Sequence, residues 1–321
     1  MLYRRHLRIK AFQALYAWYS GNSNDLAKAE KQLLLSVNKL YELFIYQLSF
    51  LIEVKDFALM RMEENKKKFY PTEEDLNPNL KFVENRVLNI LEKNIDYRKK
   101  AGLYKVNWGE QQEMIRKFYK QLQGAKFYKE YMESGSRSLE EDKRFLIKSV
   151  DRLMSDFELL RFFYEEKSVY YTDGYDLVTV LLIKFLDSFS HDFNENSKLP
   201  GIFKTTAGDD NKDSDEKFLI KLFRETITTD EETTGILKRK THNWDYERIP
   251  LSDLILLKMA IVEFTEMETI PVKVTLNEYI ELSKFFSTPK SKIFVNGVLD
   301  RLIYEFRESG KIKKSGRGLI G

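Results

Sequence analysis

Hydrophobic residues recur at helical spacing from the start of the chain. Leu7, Ala11, Leu15 and Trp18 follow one another at steps of four, four and three residues. This spacing places the four side chains on one face of an α-helix. The glycine and polar residues at 21–24 predict where this helix ends.

The same kind of pattern continues along the chain and predicts an all-α protein. A second amphipathic stretch covers 26–64 and leads into a loop bracketed by Pro71 and Pro78. Further helices are predicted at 79–96, 110–133, 139–166, 175–190, 214–228, 229–240, 250–268, 273–287 and 290–307. Polar residues make 191–213 the best candidate for a linker, and we expect 310–321 to be a basic flexible tail.

Two stretches of the chain resemble each other. The sequence DKRFLIK at 142–148 matches DEKFLIK at 215–221. A second apolar helix follows each stretch, from Leu177 and from Leu251, and the two spacings differ by one residue. We interpret 139–190 as a degenerate copy of the later helices. Chance similarity between amphipathic helices is the alternative.

Composition supports a soluble helical protein. Of 321 residues, 43% are hydrophobic and 32% are charged, which is typical of a globular chain. The 14 glycines and 6 prolines are few for a sheet-rich protein, which needs many tight turns. The N-terminus has no apolar signal sequence, and the most apolar run, 177–186, is about half of the roughly 20 residues that a membrane span needs. We therefore expect a cytoplasmic protein.

The sequence contains none of the common enzyme signatures. It has no cysteine, which excludes disulfides and thiolate metal sites. It has no glycine-rich phosphate-binding motif. Its histidines, His6, His191 and His242, lack the spacing of a metal-binding helix. We expect no metal, no nucleotide cofactor and no catalytic residue.

Three segments carry a resemblance to a known family. They are RRHLRIKAFQALYAWY from Arg4, IPVKVTLNEYIELSK from Ile270, and KIFVNGVLDRL from Lys292. Together they resemble the two ends of the NusB family of transcription antitermination factors. The resemblance covers 1–22 and 212–309.

Two features depart from the short members of that family. Residues 23–211 have no counterpart there, so we interpret them as a helical insertion within the NusB-like core. His6 stands where the family has its third N-terminal basic residue.

The resemblance implies a non-catalytic, all-α, NusB-like bundle that binds single-stranded RNA. In the family, the protein pairs with the ribosomal protein NusE and recognises boxA RNA. The pair acts in the RNA polymerase antitermination complex to support ribosomal RNA transcription. One alternative is a protein-interaction scaffold whose RNA binding is lost. An RNA cytosine methyltransferase, which carries a NusB-like domain, is disfavoured because no cofactor-binding α/β region follows.

The resemblance also implies a set of site residues. The candidate RNA-binding residues are Arg4, Arg5, His6, Arg8, Lys10, Tyr16, Lys290, Lys292 and Phe294. We expect the cations of the first helix to flank the face opposite its buried stripe, where they can contact phosphates and stack on bases. The lysines lie at the start of the last helix, where exposed N–H groups also favour phosphate. Core packing is the alternative role for the two aromatic residues.

Three further residues are expected to have defined roles. Asp253, as an exposed acid at a helix start, falls where the family meets its protein partner; a favourable helix-dipole contact is the alternative. Gly297 lies inside a predicted helix, where glycine is unfavourable, so we expect another helix to approach closely there. Asn296 would then donate a hydrogen bond across that contact.

Overall fold

The computed structural model describes residues 1–21, 24–203, 214–240 and 246–319, and in these residues it contains helices and no strand. The predicted all-α class is therefore confirmed. The chain forms two compact units, one from Met1–Val37 with Phe203–Gly321 and the other from Asn38–Ile202. His242 and most of the acidic end of the predicted linker lie outside the described residues.

Sixteen α-helices form the described part of the chain. They are α1 (Arg4–Ser20), α2 (Leu26–Lys66), α3 (Glu73–Leu76), α4 (Arg86–Lys93), α5 (Ile95–Leu103), α6 (Gln112–Gly124), α7 (Lys126–Glu133), α8 (Leu139–Ser149), α9 (Glu158–Lys167), α10 (Val169–Thr172), α11 (Tyr175–Asp187), α12 (Asp215–Thr228), α13 (Asp230–Lys240), α14 (Leu251–Glu266), α15 (Val272–Phe286) and α16 (Ser291–Glu308). A π-helical turn at Val150–Met154 follows α8.

Three stretches predicted as single helices differ in the structure: the helix predicted at 79–96 begins only at Arg86 and is followed by α5, which extends beyond 96, and those at 110–133 and 139–166 are each divided. Asn94 separates α4 from α5, and its side chain accepts a hydrogen bond from the Tyr97 N–H at 2.8 Å. Ala125 adopts an extended conformation between α6 and α7. The π-helical turn lies between α8 and α9. In all three places the hydrophobic spacing continues past the break, so the pattern alone does not reveal it.

Helix α14 is the centre of the first unit. It packs against α1, α12, α13, α15 and α16. Its residues from Ile255 to Phe264 are all buried, which is the pattern of a helix surrounded by others. On the predicted face of α1, Leu7, Ala11 and Leu15 are fully buried, whereas Trp18 is half-buried. The helices that carry the candidate site residues are thus held around one central helix.

The second unit has a core rich in aromatic rings. The ring of Phe50 lies 5.0 Å from that of Phe118 and 5.3 Å from that of Trp108. The indole N–H of Trp108 donates to Ser49 Oγ at 2.9 Å, so its polar atom is satisfied inside the core. Among the described residues of the chain, no helix is both long and apolar enough to cross a membrane.

The two similar stretches each begin a run of helices, with four α-helices in the first run and three in the described part of the second. After the Ser138 cap come α8, the π-helical turn, α9, the short α10 and α11. After the Ser214 cap come α12, α13, a short 3-10 turn at Tyr246–Arg248 and α14. In each segment the first and last helices pack together. The shared packing of first and last helix is what a duplication would leave, whereas the different helix numbers count against it, so the duplication stays a hypothesis.

Part of the tail that we expect to be flexible is bonded to the first unit. Lys314 Nζ donates to the carbonyl oxygens of Glu263 and Met267 at 3.1 and 2.8 Å. Ser315 N–H donates to the carbonyl oxygen of Glu268 at 3.1 Å. Burial lowers the pKa of Lys314 to about 8. The tail therefore caps the carboxyl end of α14, where carbonyl groups need donors.

Candidate nucleic-acid interface

The exposed arginines of α1 are both paired with carboxylates. Arg4 Nε lies 3.3 Å from Asp215 Oδ1, and its side chain is 30% exposed. Arg5 donates from Nε and Nη2 to Glu278 at 2.9 and 2.7 Å, and its side chain is 51% exposed. A guanidinium has five N–H donors, so Arg5 keeps donors for a further ligand.

Arg8 is buried, and our expectation that it faces solvent is wrong. Its side chain is 3% exposed and makes two hydrogen bonds to Glu263, at 2.8 and 2.6 Å. Thr275 and Tyr279 also donate to the Glu263 carboxylate, at 2.8 and 3.1 Å. Burial opposes the charge of Arg8, but the attraction of Glu263 raises its pKa above the ordinary value. This arginine anchors α1 to α14.

Lys10 is also buried, contrary to expectation. The physical reason is the width of the contact: both α12 and α14 pack against α1. Phe218 of α12 lies beneath the arginine face, with its ring centre 5.2 Å from the Arg4 guanidinium and 5.3 Å from that of Arg8. The buried side of α1 therefore extends well beyond the hydrophobic stripe.

Glu278 joins two of the arginines. Besides its bonds to Arg5, it lies 3.6 Å from Arg8 Nη1. Burial alone would raise the pKa of Glu278, but the Arg5 hydrogen bond and both positive charges lower it below its ordinary value. The carboxylate thus holds Arg5 in place at the edge of the buried pair.

His6 and Tyr16 occupy different environments on α1. His6 Nδ1 accepts the Tyr3 backbone N–H at 3.2 Å and so helps to cap the helix. Tyr16 is 45% exposed. Its ring lies 6.2 Å from that of Phe12, which in turn lies 4.8 Å from the ring of Phe286. Tyr16 therefore presents an exposed aromatic face and lines the same cavity as Phe286, a half-buried residue that sequence reasoning did not single out.

The start of α16 is fixed to α14 by a network of hydroxyl groups. Ser291 Oγ donates to Asp253 Oδ2 at 2.7 Å. Ser287 and Thr288 Oγ atoms lie 2.9 and 2.8 Å from Ser291 Oγ, and Ser252 Oγ donates to Ser287 Oγ at 2.9 Å. These bonds position the exposed Lys290 and Lys292 and the half-buried Phe294, which follow in the same loop and helix turn.

Asp253 is 1% exposed, so our expectation of an exposed acid is wrong. The expected helix contact at Gly297 is also wrong. Within the described residues, a Cβ atom at Gly297 would meet nothing within 4 Å. Asn296 Nδ2 instead donates to Asp300 Oδ2 of the same helix at 3.1 Å. Gly297 lines a cavity, so its missing side chain leaves space there.

Two neighbouring cavities bring one candidate of α1, Tyr16, towards two candidates at the start of α16, Lys290 and Phe294. One, of about 440 Å³, is lined by Phe12, Gln13, Tyr16, Pro250, Leu251, Ser252 and Phe286. The other, of about 810 Å³, is lined by Lys240, Arg248, Ile249, Pro250, Asp253, Thr288, Lys290, Ser291, Ile293, Phe294, Gly297, Val298 and Arg301. Both include Pro250, so the two cavities adjoin. We call this combined surface the Pro250 groove. Neither cavity is lined by Lys292, Arg4, Arg5 or His6.

Comparison with known proteins agrees with the motifs. The NusB family model matches residues 183–304. A transcription antitermination protein NusB from Salinibacter ruber is 43% identical over 112 residues, which are 35% of this chain and 70% of that protein. The chain belongs to the NusB family. NusB proteins from Chloroherpeton thalassium and Desulforapulum autotrophicum are 36% and 30% identical, over 49% and 85% of their lengths and 32% and 38% of this chain.

The extent of the NusB match bears on how the chain is divided. The family model begins at 183, inside the segment 23–211 that we interpret as an insertion. It ends at 304, within α16, and does not include α1. The boundaries of the insertion stay a prediction. No solved structure gives a significant match to the chain.

The buried pair predicts very different effects for neighbouring arginines. Arg8→Ala should reduce the free energy of unfolding by about 3–5 kcal/mol, because it leaves the Glu263 carboxylate buried without its partner. Arg5→Ala should cost less than about 1 kcal/mol, because Arg5 is exposed and Glu278 keeps Arg8 as a second positive charge nearby. Chemical denaturation of both variants measures this difference. Equal stability of the two would contradict the anchoring role of Arg8.

Glu278 predicts a dependence of stability on pH. Its pKa is lower in the folded than in the unfolded chain, so its stabilising effect is full above the ordinary carboxyl pKa and is lost as pH falls through the folded value. Glu278→Gln should therefore be less stable than wild type at pH 7, and the gap should close in acid. The exposed Glu231→Gln is the control. If the difference in stability between Glu278→Gln and wild type stays constant with pH, the protonation of Glu278 does not contribute to stability.

Proposed function

We propose that this NusB-family protein is a non-catalytic transcription antitermination factor that binds boxA-like single-stranded RNA in the cytoplasm. The Pro250 groove is the observation that supports this most. It joins the exposed ring of Tyr16 to Lys290 and Phe294, although the two ends are far apart in sequence. Basic groups interleaved with aromatic rings are what single-strand binding requires, because the cations meet phosphates and the rings stack on bases.

The candidate basic residues at the surface divide into two classes, and of these only Lys290 lines the groove. Arg4 and Arg5 are held by carboxylates, so they offer oriented donors with partly neutralised charge. Lys290 and Lys292 are exposed at the amino end of α16, where backbone N–H groups add to their attraction for phosphate. We assign electrostatic attraction chiefly to the lysines and orientation of the RNA backbone to the arginines.

We further propose that the protein acts with the ribosomal protein NusE within the RNA polymerase antitermination complex, in support of ribosomal RNA transcription. This proposal rests on membership of the family and on the names of the relatives, transcription antitermination protein NusB. A NusE contact with Asp253 would require a partner side chain to enter the cavity, because this residue is buried.

A salt titration of RNA binding tests the proposed function. The variant carrying Arg248→Ala, Lys290→Ala and Arg301→Ala, three cations that line the larger cavity of the groove, should bind a boxA-like 12-mer more weakly. The slope of log affinity against log salt should fall by about 0.7 for each phosphate contact removed. Tyr16→Ala should weaken binding with little change in slope, because stacking releases no counterions. Fluorescence anisotropy measures both, with and without NusE.

The control for this experiment removes the same charge elsewhere in the first unit. Lys217, Lys273 and Arg307 are exposed and line neither cavity of the groove. Their triple alanine variant should bind RNA nearly as wild type does. If both triple variants behave alike, the groove is not the RNA site. The interpretation as a protein-interaction scaffold would then be the better one.

A further inference from the structure

The larger cavity of the Pro250 groove contains a buried carboxylate oxygen that lacks a partner. Asp253 Oδ2 accepts the Ser291 hydroxyl, but Oδ1 has no hydrogen bond within the part of the chain that the structure describes. A buried polar atom without a hydrogen-bond partner is unfavourable, so the position favours a ligand that supplies a donor. Asp253 lines the cavity, but Oδ1 itself has almost no accessible surface, so a ligand reaches this atom when the wall of the cavity shifts slightly.

The remaining walls of this cavity fit a nucleotide. Ile249, Ile293 and Phe294 supply apolar surface for a base. The volume of about 810 Å³ lies in the range of small-molecule sites, roughly 300–1,000 Å³. Gly297 keeps one wall open, since no side chain projects there.

The charges around the cavity distinguish between possible occupants. Its lining includes four cations, Lys240, Arg248, Lys290 and Arg301, and among the described residues Asp253 is its one acid. Lys240 is paired with Glu305. Arg248, Lys290 and Arg301 surround the opening with positive charge, which attracts a phosphate and repels a lysine or arginine from a protein partner.

We propose that this cavity holds one cytosine nucleotide of the bound RNA, with the base donating its 4-amino group to Asp253 Oδ1. Carboxylates pair in this way with cytosine N4, and a single available oxygen suits a single donor. Asp253 is then a specificity-determining residue, and Ser291 is the positioning residue that orients its carboxylate. This inference rests on the proposed RNA binding and adds a preference for one base.

Base preference in short RNA tests the proposal. The wild-type protein should bind a 12-mer of cytidine about tenfold more tightly than a 12-mer of uridine, since uridine presents an oxygen where cytidine has its amino group. A cytidine 12-mer whose 4-amino groups are replaced by hydrogen should lose the same factor. Fluorescence anisotropy at fixed salt gives the three affinities.

Two variants isolate the cavity. Asp253→Asn keeps an acceptor for Ser291 and turns the free position into a donor, so the preference for cytidine should vanish or reverse. The salt slope should stay unchanged, because no phosphate contact is removed. Gly297→Leu fills the cavity without altering Asp253 and should also remove the preference. Glu231→Gln changes the same charge at an exposed position and should leave the preference intact.

The outcomes separate the two proposals. RNA binding by wild type without any base preference would overturn the cytosine site and leave the proposed function standing. A preference for cytidine that survives in a folded Asp253→Asn variant would also overturn the cytosine site and leave the proposed function standing. That result would favour a protein side chain as the occupant of the cavity. Absence of binding to any oligomer, with or without NusE, would contradict both proposals. The unfolding midpoint of each variant confirms that it is folded.

Discussion

The first unit depends on the buried pair of Arg8 and Glu263. Two charges removed from water are stable only when they neutralise each other and their remaining polar atoms are bonded. Here Thr275 and Tyr279 donate further hydrogen bonds to the Glu263 carboxylate, so α1, α14 and α15 are fixed together at one point. The geometry of this contact decides which side of α1 is left for solvent.

That constraint divides the basic residues of α1 by function. Arg8 and Lys10 are turned inward, so they stabilise the fold and are not placed to meet RNA. Arg5 remains outside and is held by Glu278, which also lies near Arg8. A carboxylate in this position reduces the net charge of the surface but gives the guanidinium a defined direction. The Arg5 side chain is thus better ordered but attracts phosphate less strongly, and the lysines at the start of α16 supply the stronger attraction.

Much of the fold could be predicted because it depends on local spacing. The helices from α12 to α16 begin and end within about two residues of their predicted bounds, since caps and periodicity mark them. The site was harder to predict because its geometry is set by residues distant in sequence. Nothing near Arg8 indicates that Glu263, 255 residues away, will pair with it. The burial of Asp253 likewise depends on Ser291 of another helix.

Gly297 shows how one observation can reverse an interpretation. In sequence, a glycine inside a helix suggests close packing, because it costs about 1 kcal/mol relative to alanine and needs compensation. In the structure nothing packs against it, and the open space belongs to the cavity that contains Asp253. If stability alone mattered, alanine would serve better at this exposed position. The unfavourable glycine and the unpartnered oxygen of Asp253 lie on the walls of the same cavity. Together they are more consistent with a binding site than with a packing defect.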